Sequence, residues 1–175
     1  MTHLVLVGMP GSGKSSVAAR CGELLDRAVL DTDTLIQATA ASSTVEIFAA
    51  EGEAGWRDRE SAALADACAS PAPLVIACGG GAVLRATNRS AMRAGGFVVW
   101  LRTSPEELAR RVGSGHQLET RPLLAGGAPA VVTLGRLASR REAAYEAAAH
   151  AVVDTDGRSV DDVAHDVVRA FEAAA

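Results

Sequence analysis

Residues 8–15 read Gly-Met-Pro-Gly-Ser-Gly-Lys-Ser, a complete G-x-x-x-x-G-K-[ST] pattern, and their setting is as informative as their identity. An apolar run, Leu4 to Val7, precedes them, and a helix-compatible run from Ser15 to Leu25 follows. Strand, glycine loop and helix in that order make a cradle for phosphate. The glycines let several backbone N–H groups turn towards one point, and the helix start adds partial positive charge. The phosphates of a nucleotide are expected along Gly11, Ser12, Gly13, Lys14, Ser15 and Ser16, with Lys14 reaching the β- and γ-phosphates and the Ser15 hydroxyl meeting Mg²⁺.

Composition sharpens that reading. The 175-residue chain carries 16 arginines and a single lysine, Lys14, against 21 acidic residues, for a formal net charge of −4. A chain that uses arginine as its general cation keeps lysine where a compact, flexible ammonium serves the chemistry. The acidic balance gives no broad basic surface for a nucleic-acid polymer. Hydrophobic residues make up 49% of the chain, yet no apolar stretch approaches the roughly 18 residues of a membrane span. Cys21, Cys68 and Cys78 are odd in number, far apart and without metal-ligand spacing, which suits reduced thiols in the cytoplasm. The opening residues lack the basic segment of a secretion signal. The expectation is a monomeric, cytoplasmic α/β domain over residues 1–175, with neither nucleic acid nor membrane as partner.

Short apolar runs at 3–7, 28–31, 73–78, 96–101 and 151–154 alternate with helix-compatible stretches at about 14–25, 33–39, 44–51, 56–69, 86–94, 104–112, 129–149 and 159–173. That alternation predicts a parallel sheet with helices on both faces, a three-layer α/β/α fold. Ser104-Pro105-Glu106-Glu107 marks a helix start, with a serine cap, proline at the first position and acids in the first turn. Two segments exceed a simple crossover. Residues 32–72 are expected to form a small helical lobe, and the glycine- and proline-rich stretch with Arg121 at its centre a lid over about 113–125.

The phosphate loop alone leaves the class open. A GTPase-type module would need a second lysine in its guanine-reading N-K-x-D motif, and the chain has none. The run at 73–78 ends in Cys78-Gly79-Gly80-Gly81, while Asp31 and Asp33 sit at the end of the second strand, beside the expected phosphate site. Ligands of such sheets lie beyond the carboxyl ends of the strands. One carboxylate there can support Mg²⁺ and the other orient or deprotonate an acceptor hydroxyl; a capping pair at a helix start is the plain alternative. The glycine triplet either admits a small substrate or makes a bare turn. Arg57, beside Trp56, either holds an anionic acceptor or is a solvated helix cation paired with Glu60, and the residues alone favour the second.

Further markers accompany the loop: Asp31-Thr32-Asp33, Ile47-Phe48, Gly52-Glu53, Trp56-Arg57 with Glu60, Gly79-Gly80-Gly81, Arg121-Pro122-Leu123-Leu124, and Arg140-Arg141 ahead of Tyr145. In this order and spacing they give the chain a resemblance, essentially end to end, to bacterial shikimate kinases, P-loop enzymes of the nucleoside-monophosphate-kinase-like fold. The resemblance implies five parallel strands ordered 2-3-1-4-5 and transfer of the ATP γ-phosphoryl group to the 3-hydroxyl of shikimate, in chorismate and aromatic amino acid biosynthesis. By position it implies that Lys14, Asp33 and Arg121 are catalytic, Asp33 being the candidate base in contact with the shikimate hydroxyls. Arg57 and Arg141 would bind the carboxylate beside Gly79, Gly80 and Gly81, with Glu60 bracing Arg57. Ser15 and Asp31 would serve Mg²⁺, Arg111 and Arg158 would lie near the nucleotide base, and Arg121 would close over the phosphates.

The chain departs from the family pattern in three places. Plain helix replaces Pro-Leu between Arg141 and Tyr145, so Arg140 stays an alternative carboxylate ligand; the lid runs a few residues longer and carries His116; Trp56 stands where phenylalanine is common. Two other functions fit the loop: a gluconate or cyclitol kinase, and a catalytically silent nucleotide-binding module. Arg57 and Arg141 with the glycine triplet speak against the first, and the intact set of Lys14, Ser15, Asp31, Asp33 and Arg121 against the second.

Overall fold

Strand β1, His3–Val7, is buried at every residue, which requires cover on both of its faces. It lies at the centre of a parallel sheet ordered β2-β3-β1-β4-β5, with β2 at Ala28–Asp31, β3 at Leu74–Ala77, β4 at Gly96–Arg102 and β5 at Ala151–Asp154. The computed structural model describes residues 3–113 and 129–174. In register, Leu4 faces Val75 and Phe97, and Leu6 faces Ala77 and Val99.

Side chains alternate across a strand, so each central strand feeds two cores. Leu4, Leu6, Val99 and Leu101 pack with Val17 and Cys21 of α1 (Lys14–Leu25) and with Val163, Val167 and Phe171 of α7 (Val160–Glu172). Val5, Val7, Ile76, Val98 and Trp100 point the other way. They meet Leu64 of α3 (Thr44–Cys68), Met92 of α4 (Ala86–Gly95), Leu108 of α5 (Pro105–Gly113), and Leu134 and Tyr145 of α6 (Ala130–Ala148). The result is the expected three-layer α/β/α arrangement in the expected strand order.

Local signals account for the helix starts. Asp31 caps α2 (Thr32–Ala40), and Ser43 caps α3 in a capping box with Glu46. Ser104 Oγ accepts from the Glu107 N–H at 3.3 Å, opening α5 as its sequence implies. One difference stands out. The sequence reading ends a helix at 51 and restarts at 56, whereas α3 is one helical run broken at Gly52 alone, whose φ of 69° and ψ of −174° turn the chain in a single residue. The lobe carries its own small core of Ile36, Ile47, Trp56 and Ala63.

All five strands run the same way, so the segments after Val7, Asp31, Ala77 and Arg102 emerge at one edge of the sheet. Apart from Gly113 at the end of α5, the lid expected at 113–125, with His116 and Arg121, lies outside the described residues. Among the described residues no helix is long and apolar enough to cross a membrane. Leu6 is wholly buried between β3, β4 and α1. Leu6→Ala is expected to cost about 2–5 kcal/mol, read as a lowered urea midpoint at unchanged m-value.

Candidate active site

The loop between β1 and α1 turns with Gly13 at φ 91°, a left-handed conformation that glycine adopts without strain. Lys14 opens α1, and its Nζ donates to Met9 O at 2.9 Å, folding the ammonium back across the loop. Ser15 Oγ donates to Asp31 Oδ2 at 2.6 Å, while Asp31 Oδ1 accepts from the backbone N–H groups of Asp33 and Thr34 at 3.0 and 3.2 Å. The capping reading of this aspartate holds for Oδ1, which leaves Oδ2 on the side of Ser15. Ser15 Oγ and Asp31 Oδ2 are hard oxygen donors side by side, a set that fits Mg²⁺ when phosphate and water complete the shell.

A cleft of about 470 Å³ opens beside the loop, with Ser12, Gly13, Arg110, Arg111, Thr155 and Arg158 among its lining residues. Arg111 spans it. One nitrogen donates to Ser12 O at 3.3 Å and Thr155 Oγ1 at 3.1 Å, the second to Thr155 O at 2.7 Å, and Nε to Glu107 Oε1 at 2.7 Å. Hydrogen bonds from Arg110 and Arg111 hold the Glu107 carboxyl down to about 2. Arg158 bonds Asp166 at 2.6 Å. The structure thus brings both flagged arginines to the cleft. It adds Glu107, legible from its i,i+4 spacing to Arg111, and Thr155, which 44 residues of separation hid.

The glycine triplet forms a second centre against the loop, where a Cβ on Gly80 would come within 2.7 Å of Pro10 Cδ. A Cβ on Gly79 would run into Asp33 Oδ1 and Glu60 Oε1, and one on Gly81 into the Arg57 guanidinium. Side chains are excluded here because three functional groups occupy their space. The exposed backbone is satisfied from outside the strand: Gly79 N donates to the buried Thr32 Oγ1 at 2.9 Å, and Gly80 O accepts from Arg141 at 3.0 Å and from Tyr145 Oη at 2.6 Å. Arg141 is 4% exposed, whereas its neighbour Arg140 is exposed, so α6 presents Arg141 to this centre and not Arg140.

Arg57 corrects the reading that residues alone favoured. It pairs with Glu60 at 2.8 Å as the spacing implies, and with Glu53 at 3.2 Å, yet its side chain is only 11% exposed and is no solvated surface cation. Burial opposes its charge, and the two glutamates more than offset that. Burial also pushes the Glu60 carboxyl up from its ordinary value, against the pull of Arg57 and Arg141. Glu60 Oε1 and Ser12 Oγ are buried with no hydrogen-bond partner among the described residues, a condition that costs about 1–3 kcal/mol per group unless a ligand relieves it.

Comparison with known proteins agrees with this geometry. The family model described as shikimate kinase matches residues 10–172. A shikimate kinase of Symbiobacterium thermophilum is 46% identical over 97% of this chain and 96% of its own length, and one of Chromohalobacter salexigens is 42% identical over 95% and 89%. Among solved structures, shikimate kinase from Acinetobacter baumannii in complex with shikimate superposes with a TM-score of 0.92 at 31% identity, over 99% of this chain and 94% of that one.

Two glycine replacements are expected to differ in sign. Gly81→Ala displaces the Arg57 guanidinium and should destabilise by about 1–3 kcal/mol. Gly135→Ala, within α6 and no closer than 3.8 Å to Pro105, should stabilise by up to about 1 kcal/mol. Thermal or urea unfolding of the two variants checks both.

Proposed function

The chain belongs to the shikimate kinase family, and we propose that it transfers the γ-phosphoryl group of ATP to the 3-hydroxyl of shikimate, giving shikimate 3-phosphate and ADP. The observation that carries the acceptor is the convergence of two shielded arginines, Arg57 and Arg141, with the carboxyls of Asp33 and Glu60 on the bare backbone of Gly79, Gly80 and Gly81. Shikimate is a carboxylated cyclic triol. Guanidinium forks suit its carboxylate, and fixed carboxyl oxygens suit its hydroxyls.

In this reading the ATP phosphates lie along the N–H groups of Gly11 to Ser16, with the base towards Arg111 and Arg158. Arg57 and Arg141 grip the carboxylate and so present the ring, whose hydroxyls meet Asp33 and the free oxygen of Glu60. Asp33 takes the proton of the 3-hydroxyl as its oxygen bonds to the γ-phosphorus and the bond to the ADP oxygen breaks. Lys14 offsets the charge on the phosphoryl oxygens during transfer. Mg²⁺, held by Ser15 and Asp31, would neutralise phosphate charge. By the family resemblance Arg121 would add a further cation for the phosphates. We take the enzyme to work as a single-domain monomer in the cytoplasm. Its three cysteines, all free, support that setting.

ADP release with Mg·ATP and a panel of shikimate, quinate, gluconate and a nucleoside monophosphate tests the assignment: turnover is expected with shikimate, and turnover with another acceptor but not shikimate overturns it. Lys14→Met is expected to lower kcat by roughly 10²–10³ with an unchanged circular dichroism spectrum. Arg57→Ala and Arg141→Ala should each raise KM for shikimate by about tenfold or more with little change for ATP. Arg140→Ala should leave both constants near wild type; a larger effect there than at Arg141 would reverse the assignment.

A further inference from the structure

Helix α3 is interrupted at one residue, and what lies across that interruption has a use. Gly52, at φ 69° and ψ −174°, leaves the angle between the two halves of α3 unconstrained by a continuous helical backbone. Two side-chain contacts, each spanning eight residues, set that angle instead. On the buried side the rings of Phe48 and Trp56 lie 5.4 Å apart. On the solvent side Arg59 forks onto Glu51, Nε to Oε2 at 2.9 Å and Nη2 to Oε1 at 2.7 Å. The fork crosses Gly55, where a Cβ would come within 2.9 Å of Glu51 Oε2 and closer still to Glu51 Cβ. One glycine permits the bend, a second makes room, and a planar two-point pair fixes the direction.

The two halves carry different parts of the acceptor pocket. The first, through Ile47 and Phe48, packs on Leu35 and Ile36 of α2, the helix whose first turn holds Asp33. The second carries Arg57 and Glu60. We propose that the Glu51–Arg59 pair is a latch across the Gly52 hinge that positions Asp33 and Arg57 relative to one another, and so sets acceptor affinity. The proposal rests on the acceptor reading above. Both are positioning residues, acting through Asp33 and Arg57. An ordinary solvated pair would sit at i,i+4 on an unbroken helix and do nothing for the pocket; this one joins two segments that its backbone does not hold together. Side chains 37% and 39% exposed leave it open to screening by salt.

The test compares steady-state kinetics of wild type, Glu51→Gln, Arg59→Gln, Gly55→Ala and the charge-swapped Glu51→Arg/Arg59→Glu, with low and with added NaCl. Each single variant is expected to raise KM for shikimate by about two- to fivefold, with kcat and KM for ATP unchanged within error. Gly55→Ala keeps both charges and should show the same rise, because it pushes Glu51 out of reach. The swapped pair should recover most of the loss, and the wild-type KM should depend more on salt than that of Glu51→Gln. An unchanged KM for shikimate in the single variants, equal rises in both KM values, or a swap no better than Glu51→Gln and Arg59→Gln would each overturn the latch. Wild type that fails to phosphorylate shikimate would sink the functional reading itself, whereas active wild type matched by Glu51→Gln removes only the latch.

Discussion

The bond from Arg57 to Glu60 Oε2, 2.8 Å long and largely shielded from solvent, sets the geometry of everything around the glycine triplet. Glu60 is 1% exposed, and a carboxyl in that position is costly unless a cation meets it. Meeting it draws the Arg57 guanidinium inward, into the space beside Gly81 that a side chain would need. The end of β3 must then be bare, and its backbone groups have to find partners on other elements. Gly79 N finds Thr32, and Gly80 O finds Arg141 and Tyr145. One ion pair in this way gathers α2, α3 and α6 at a single strand end. Stability alone does not call for such a pair, since apolar groups of similar volume commonly serve as well or better. On the proposed reading, its value lies in the acceptor surface it creates.

The two sides of the site are held together by different contacts. On the side proposed for the nucleotide, β4 and β5 are tied at their last residues by Arg102 to Asp154 and one residue further on by Thr103 to Thr155, and Arg111 joins Thr155 to Ser12 of the phosphate loop. Loop, α5 and the turn after β5 are therefore joined through one guanidinium. The acceptor side depends on a lobe with a small core of its own, bent at one glycine. Phosphoryl transfer needs donor phosphates and acceptor held in a fixed relation, and side-chain contacts that set each side separately suit that requirement.

Much of this was legible before any coordinates. Strands buried on both faces read as continuous apolar runs, and the helices carry their caps in sequence, as Ser104 and Ser43 illustrate. The sequence reading makes the break in α3 three residues too wide because a Glu-Ala-Gly stretch reads as a turn, whereas Gly52 by itself bends the chain and the helix resumes at once. The Arg57–Glu60 pairing followed from i,i+3 spacing, but its burial did not. Spacing along a helix says which residues meet and nothing about what covers them.

By itself, the sequence determined the phosphate loop, the roles open to Lys14 and Ser15, and the three-layer fold, because those features are made by contiguous residues and by local periodicity. Only the tertiary structure turns Arg141 towards the glycine triplet and leaves Arg140 outside. Adjacent residues on a helix point about 100° apart, and it is the packing of α6 against Gly80 that turns one inward and leaves the other in solvent. The same holds for Thr155 beneath Arg111 and for the three side chains crowded over Gly79 and Gly81, since groups distant in the chain become neighbours only when the sheet brings its strand ends together.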